Sequence, residues 1–204
     1  RMGIGSILVE GPYYGKRRPF NQNGIYVNTV SDKFKLGHCC VEEGRSLLGY
    51  LQNEGYKKLG VTGHSMGGQI SLLVGIHYEH PLVIVPCVTP HSPEPVFMEE
   101  VLSSSINWSK IKSQLSPQNI DVDEFMRKLF SISDLRNFPI PYYPELTHII
   151  AGKYDAYVPA ESVELLWKHL KGSQITWLEG GHVTSLLFHA KEIRNIICEM
   201  LDKL

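Results

Sequence analysis

The sequence predicts an α/β fold, a mainly parallel sheet flanked by helices and interrupted by a helical cap insertion. Three observations carry that expectation. Short β-branched runs alternate with stretches of helical apolar spacing, which is the pattern of a parallel sheet with helices on both faces. The alternation breaks between Val88 and Glu145, where Pro90, Pro93, Pro95, Pro139, Pro141 and Pro144 bracket apolar helical pieces. Finally, 204 residues with 43% hydrophobic and 20% charged side chains supply one sizeable core and no second full domain. The expectation is a single domain over 1–204 with the insertion at about 88–145.

Taken in order, strands are expected near Ser6 to Glu10, Lys58 to Thr62, Leu82 to Cys87, Leu146 to Gly152 and Gln174 to Leu178. Helices are expected near Gly37 to Glu54, Gly68 to Tyr78, Ala160 to Leu170 and Thr184 to Leu204, with Asn53 to Gly55 and Lys171 to Gly172 as stops. Inside the insertion the helical pieces are Val96 to Leu102 and Asp123 to Phe130. Its apolar side chains, Phe97, Met98, Trp108, Phe125, Met126, Leu129 and Phe130, would form a lid suited to a greasy substrate, or would simply hold the insertion to the sheet.

The most informative motif is Gly63-His64-Ser65-Met66-Gly67, a GxSxG directly between a strand and a helix. That context is a nucleophile elbow, a serine on a sharp turn with glycines two residues either side where strand and helix are forced together. The structural alternative is a glycine-rich turn with an idle serine. Sites of this type order their partners as serine, acid, histidine. Asp155 follows the strand ending at Gly152, and His182 lies in the loop after the next strand, so the two should be neighbours at the carboxyl ends of adjacent strands. Ser65 would attack an acyl carbonyl, His182 would carry the proton, and Asp155 would fix the imidazole tautomer. The Met66 main-chain N–H would serve as an oxyanion donor at the helix start.

Rival residues fit less well. His64, beside the nucleophile, cannot easily fold back in line and reads as a packing or hydrogen-bonding residue; His148 reads as a satisfied core histidine. Asp134 is a second candidate acid without a strand before it. No CxxC, HExxH, GxxxxGK[ST] or complete GxGxxG occurs, so no metal or cofactor is implied. Four irregularly spaced cysteines point to thiols in a reducing, intracellular setting. The net charge of -1 disfavours nucleic acid as a partner. Lys16, Arg17 and Arg18 read as a solvated loop, with an anionic-substrate or peripheral membrane contact as the second reading. No apolar run approaches the ~18 residues of a membrane span.

Ile7-Leu8-Val9-Glu10-Gly11-Pro12-Tyr13-Tyr14-Gly15, Ser105-Ile106-Asn107-Trp108 and Leu178-Glu179-Gly180-Gly181-His182 together resemble the alpha/beta-hydrolase domain-containing protein 18 family. The resemblance spans nearly the whole chain, and the first two segments are its specific part. It implies an α/β-hydrolase fold, Ser65 as nucleophile, Asp155 as acid, His182 as base, no cofactor, and a lipid or other acyl-ester substrate; in the lid reading of the insertion, Phe97, Trp108 and Phe130 would line the acyl pocket. Hydrolases of this superfamily place the elbow after the fifth of about eight strands, whereas here it follows the second recognisable one. The chain is therefore expected to lack N-terminal strands and the loop carrying a second oxyanion N–H. Two function classes stand at this point: a serine esterase, and a non-catalytic binding or scaffold protein that keeps the fold.

Overall fold

Four runs whose side chains alternate between two apolar environments form the sheet, as the strand period of two requires. In the computed structural model, which describes residues 3–24, 27–99 and 101–204, these are β1 (Gly60–His64), β2 (Val83–Cys87), β3 (His148–Gly152) and β4 (Gln174–Leu178). They are parallel and ordered β1-β2-β3-β4. Gly60 lies opposite Val83 and His64 opposite Cys87, while His148 lies opposite Gln174 and Gly152 opposite Leu178. All four carboxyl ends therefore meet at one edge of the sheet.

The helices follow in chain order: α1 (Val30–Asn53), α2 (Met66–Ile76), α3 (Pro93–Met98), α4 (Trp108–Leu115), α5 (Val122–Ser131), α6 (Ala160–His169), α7 (Thr184–Phe188) and α8 (Ala190–Asp202). Ile84, Ile149 and Ala151 pack on one face with Leu48 of α1, Leu72 of α2 and Leu166 of α6. Val83, Val85, Cys87 and Ile150 point the other way, onto Ile193, Ile196 and Met200 of α8. Helices thus cover both faces, and burial of these side chains at roughly 25 cal/mol per Å² of apolar surface drives the layering.

Four expectations are corrected. Ser6 to Glu10 is no strand: among the described residues it has no ladder partner, and Leu8 is 96% exposed. A β-branched run without a neighbour does not hold a strand by propensity alone. The first helix begins at Val30, not near Gly37, because Thr29 caps it by accepting from the Asp32 N–H at 3.0 Å. The last helix divides at His189, whose ring is drawn to the Glu179 carbonyl and the Glu192 carboxylate. Within the insertion, α4 is an additional helix, capped by Asn107, whose side chain accepts from the Lys110 N–H at 3.1 Å. Arg17 of the basic cluster forks onto Glu43, so its charge is paired.

Candidate active site

Ser65 stands at the end of β1 with φ 56 and ψ -115, a region that non-glycine residues avoid. Its N–H bonds the Cys87 carbonyl at 2.8 Å, and its own carbonyl accepts from the N–H groups of Gly68 and Gln69. The turn is thus pinned on both sides while the side chain is held out at the start of α2. The glycines divide the work differently from expectation. A β-carbon on Gly63 would lie 2.2 Å from the Gly67 main chain, and one on Gly68 would lie 1.9 Å from the Thr89 hydroxyl, whereas one on Gly67 would meet nothing within 4 Å. Close approach of strand and helix therefore requires Gly63 and Gly68. Met66 is the first residue of α2, so its N–H has no intrahelical acceptor.

Asp155 and His182 come together as the strand order demands. The His182 Nδ1–H donates to Asp155 Oδ2 at 2.8 Å, and the other carboxylate oxygen accepts from the N–H groups of Tyr157 and Val158 at 2.8 and 2.9 Å. Both side chains are well buried, 12% and 3% exposed. With Nδ1 donating, Nε2 carries the lone pair and can accept a proton. The Tyr157 ring lies 5.0 Å from that of His182. Among the described residues the Ser65 hydroxyl has no hydrogen-bond partner; in unliganded sites such contacts often tighten only once substrate is seated.

Asp134, the rival acid, is occupied elsewhere. It forks with Arg136 and lies 3.9 Å from His91 Nε2. His91 in turn meets Ser162, whose hydroxyl accepts from the His91 main-chain N–H at 3.1 Å and lies 2.7 Å from Nδ1. This second serine, histidine and aspartate set is inverted relative to His182, which turns Nδ1 to its aspartate, whereas His91 turns Nδ1 to Ser162 and Nε2 towards Asp134, and Ser162 is only 2% exposed. It joins α6 to the insertion as a buried polar hub. A cleft of about 210 Å³ beside it is lined by Glu94, Glu99 and Glu161 and does not include Ser65. Cys87, next to the elbow, is no rival nucleophile, because burial pushes its thiol up to about 11.

The aromatic residues assigned to substrate binding separate in the structure. Phe97 and Phe130 stack at 5.7 Å between centroids. Trp108 opens α4 with its indole N–H on the Ser103 carbonyl at 2.8 Å and is not part of that stack. The insertion reaches α2 through Gln69, which donates to the Ser133 carbonyl at 2.8 Å. Sequence reasoning missed Lys33. Its ammonium sits 2.8 Å from the Met66 sulfur and 5.9 Å from the Phe97 ring, with no carboxylate partner among the described residues. Burial lowers its pKa. The signal was present: Thr29-Val30-Ser31-Asp32 is an [ST]-x-x-[DE] helix start, which puts Lys33 in the first turn of α1. The Tyr13 hydroxyl donates to Asp32 at 3.1 Å and fastens the Gly11 to Gly15 loop to that turn.

The sequence matches the family described as alpha/beta hydrolase domain containing 18 over residues 1–124 and 117–203. A carboxylesterase of Bacillus subtilis (strain 168) is 28% identical, with 76% of this chain and 68% of that protein covered. A solved structure from Thermus thermophilus superposes with a TM-score of 0.59 at 14% identity, covering 94% of this chain and 75% of that one. An esterase of Pyrococcus furiosus gives 0.51 at 14% identity, covering 80% and 60%. Likeness at such identities speaks for the fold alone. With a four-stranded parallel sheet between helices and family matches that together run the length of the sequence, the chain belongs to the alpha/beta hydrolase domain containing 18 family.

Proposed function

We propose that the chain is a serine hydrolase acting on a small-molecule acyl ester, lipid-like in its acyl part, through Ser65, His182 and Asp155. The observation that carries this reading is the buried His182 Nδ1–Asp155 bond at 2.8 Å, which leaves Nε2 as base in a fold whose elbow presents a serine. Ser65 Oγ attacks the acyl carbon as its proton passes to His182 Nε2. The oxyanion is met by the Met66 N–H at the positive end of α2. Collapse expels the alcohol, which takes the proton from His182, and water repeats the sequence on the acyl-enzyme. The carboxylesterase likeness supports an ester as substrate.

Residues 88–145 act in this reading as a lid within a single domain, with Phe97, Trp108 and Phe130 as its acyl-contacting side chains. If Phe97 is the nearer wall, Phe97→Ala should penalise palmitate esters over butyrate esters by about 0.8 kcal/mol per methylene no longer buried. Trp108→Ala with an unchanged ratio would reduce Trp108 to an anchor of α4. The primary test is covalent labelling by a fluorophosphonate. Wild type should be labelled at Ser65 and folded Ser65→Ala should not; undiminished labelling of the alanine variant removes the assignment and favours a binding protein that keeps the fold.

A further inference from the structure

We propose that His64 is a positioning residue, whose Nε2–H holds the main chain of His182 against the nucleophile's strand. The inference rests on the reading of Ser65 and His182 given above. The sheet order puts β1 and β4 at opposite edges, so at ~4.8 Å per strand the ends that launch Ser65 and His182 stand roughly 14 Å apart. The loop after β4 must therefore cross the ends of β3 and β2 to bring His182 to Ser65. On the β3 side it is fastened by two main-chain bonds, from Lys153 to the Leu178 carbonyl and from Tyr154 to the Gly180 carbonyl, each 3.0 Å. On the β1 side, the fastening is the contact between His64 Nε2 and the His182 carbonyl at 2.8 Å.

A carbonyl only accepts, so His64 must be protonated at Nε2. The two rings stand edge to face at 4.8 Å, which fixes the orientation of each. Desolvation lowers the His64 pKa and outweighs the bond to the His182 carbonyl, which raises it, while the His182 ring charge lowers it further, so the ring that bears on the catalytic imidazole is neutral and adds no competing positive charge as the imidazolium forms. Asp155 is the other charged group that acts on His64, in the opposite sense. Because His64 immediately precedes Ser65, a displacement of the His182 main chain away from the end of β1 stretches this bond. It is the only hydrogen bond among the described residues that joins residues 179–183 to 60–65.

The experiment compares His64→Leu, which fills the space without a donor, with His64→Gln, which restores an N–H at similar reach. Each is assayed for the rate of fluorophosphonate labelling, for kcat and KM on a p-nitrophenyl ester, and for Tm. A shift of about 1 Å between reacting groups costs on the order of 100-fold, so His64→Leu should lower labelling rate and kcat by roughly 10- to 100-fold with KM little changed. His64→Gln should recover most of that loss. Equal rates in wild type and folded His64→Leu, with Ser65→Ala unlabelled, overturn the proposal and leave the Ser65 reading standing. Absence of Ser65-dependent labelling in wild type overturns both. If His64→Leu does not fold, ring nitrogen NMR of wild type decides: a neutral His64 protonated at Nε2 supports the proposal, and protonation at Nδ1 alone overturns it.

Discussion

At the scale of the residue, Ser65 carries backbone strain at the position proposed for the nucleophile. Its left-handed φ of 56 is a conformation that glycine adopts without penalty and that costs a side-chain-bearing residue about 1 kcal/mol or more. Ser65→Gly should therefore unfold at higher denaturant than Ser65→Ala by the equivalent of ~1 kcal/mol, while neither is labelled by a fluorophosphonate. Asp155→Asn should keep the fold but lower kcat by about four orders of magnitude, because the amide lets the imidazole take the wrong tautomer. Asp134→Asn should leave kcat near wild type and cost stability, since it removes the charge and one acceptor of the buried Asp134 carboxylate that Arg136 grips from the surface. The residues named from motif order, Asp155 and His182, were legible because strand succession dictates their neighbourhood. His64 as a tie was not: its partner is 118 residues away, and only the closed sheet brings the two together.

At the scale of the element, legibility followed the ladder. The four strands of the sheet were recognisable from short apolar and β-branched runs, and the adjacency of β3 and β4 from succession. Ser6 to Glu10 carries the same local signal but has no strand beside it among the described residues, and side-chain pattern alone does not reveal that. Boundaries depended on caps: Thr29 begins α1 about two turns earlier than the apolar spacing indicates, because the polar first turn carries no core residue. The tight turn between β1 and α2 permits a sharper expectation. Gly63→Ala places a methyl group inside the α2 main chain and should destabilise by at least about 3 kcal/mol, or abolish folding. Gly67→Ala, with open space around it and a helical position that favours alanine, should be neutral or slightly stabilising. Urea midpoints of the two variants check this directly.

At the scale of the whole molecule, three partly buried histidines set the response to acid. Desolvation lowers the pKa of His64, His91 and His148 below the ordinary value. The unfolded chain therefore takes up these protons first as the pH falls. The stability that these three groups contribute is fully present above ~6.5 and is lost as the pH falls through that value towards the lower folded-state pKa values. Urea unfolding between about pH 7.5 and 5.5 should show this decline, and His91→Gln should make it shallower. The hydrogen bond between His64 and His182 has a kinetic meaning as well. It closes one of the longest loops in the chain, and a contact of such sequence separation forms late, after the local helices and neighbouring strands are in place. In a refolding time course helical circular dichroism should therefore recover before reactivity towards a fluorophosphonate, so that acquisition of the label becomes a clock for completion of the last step of folding.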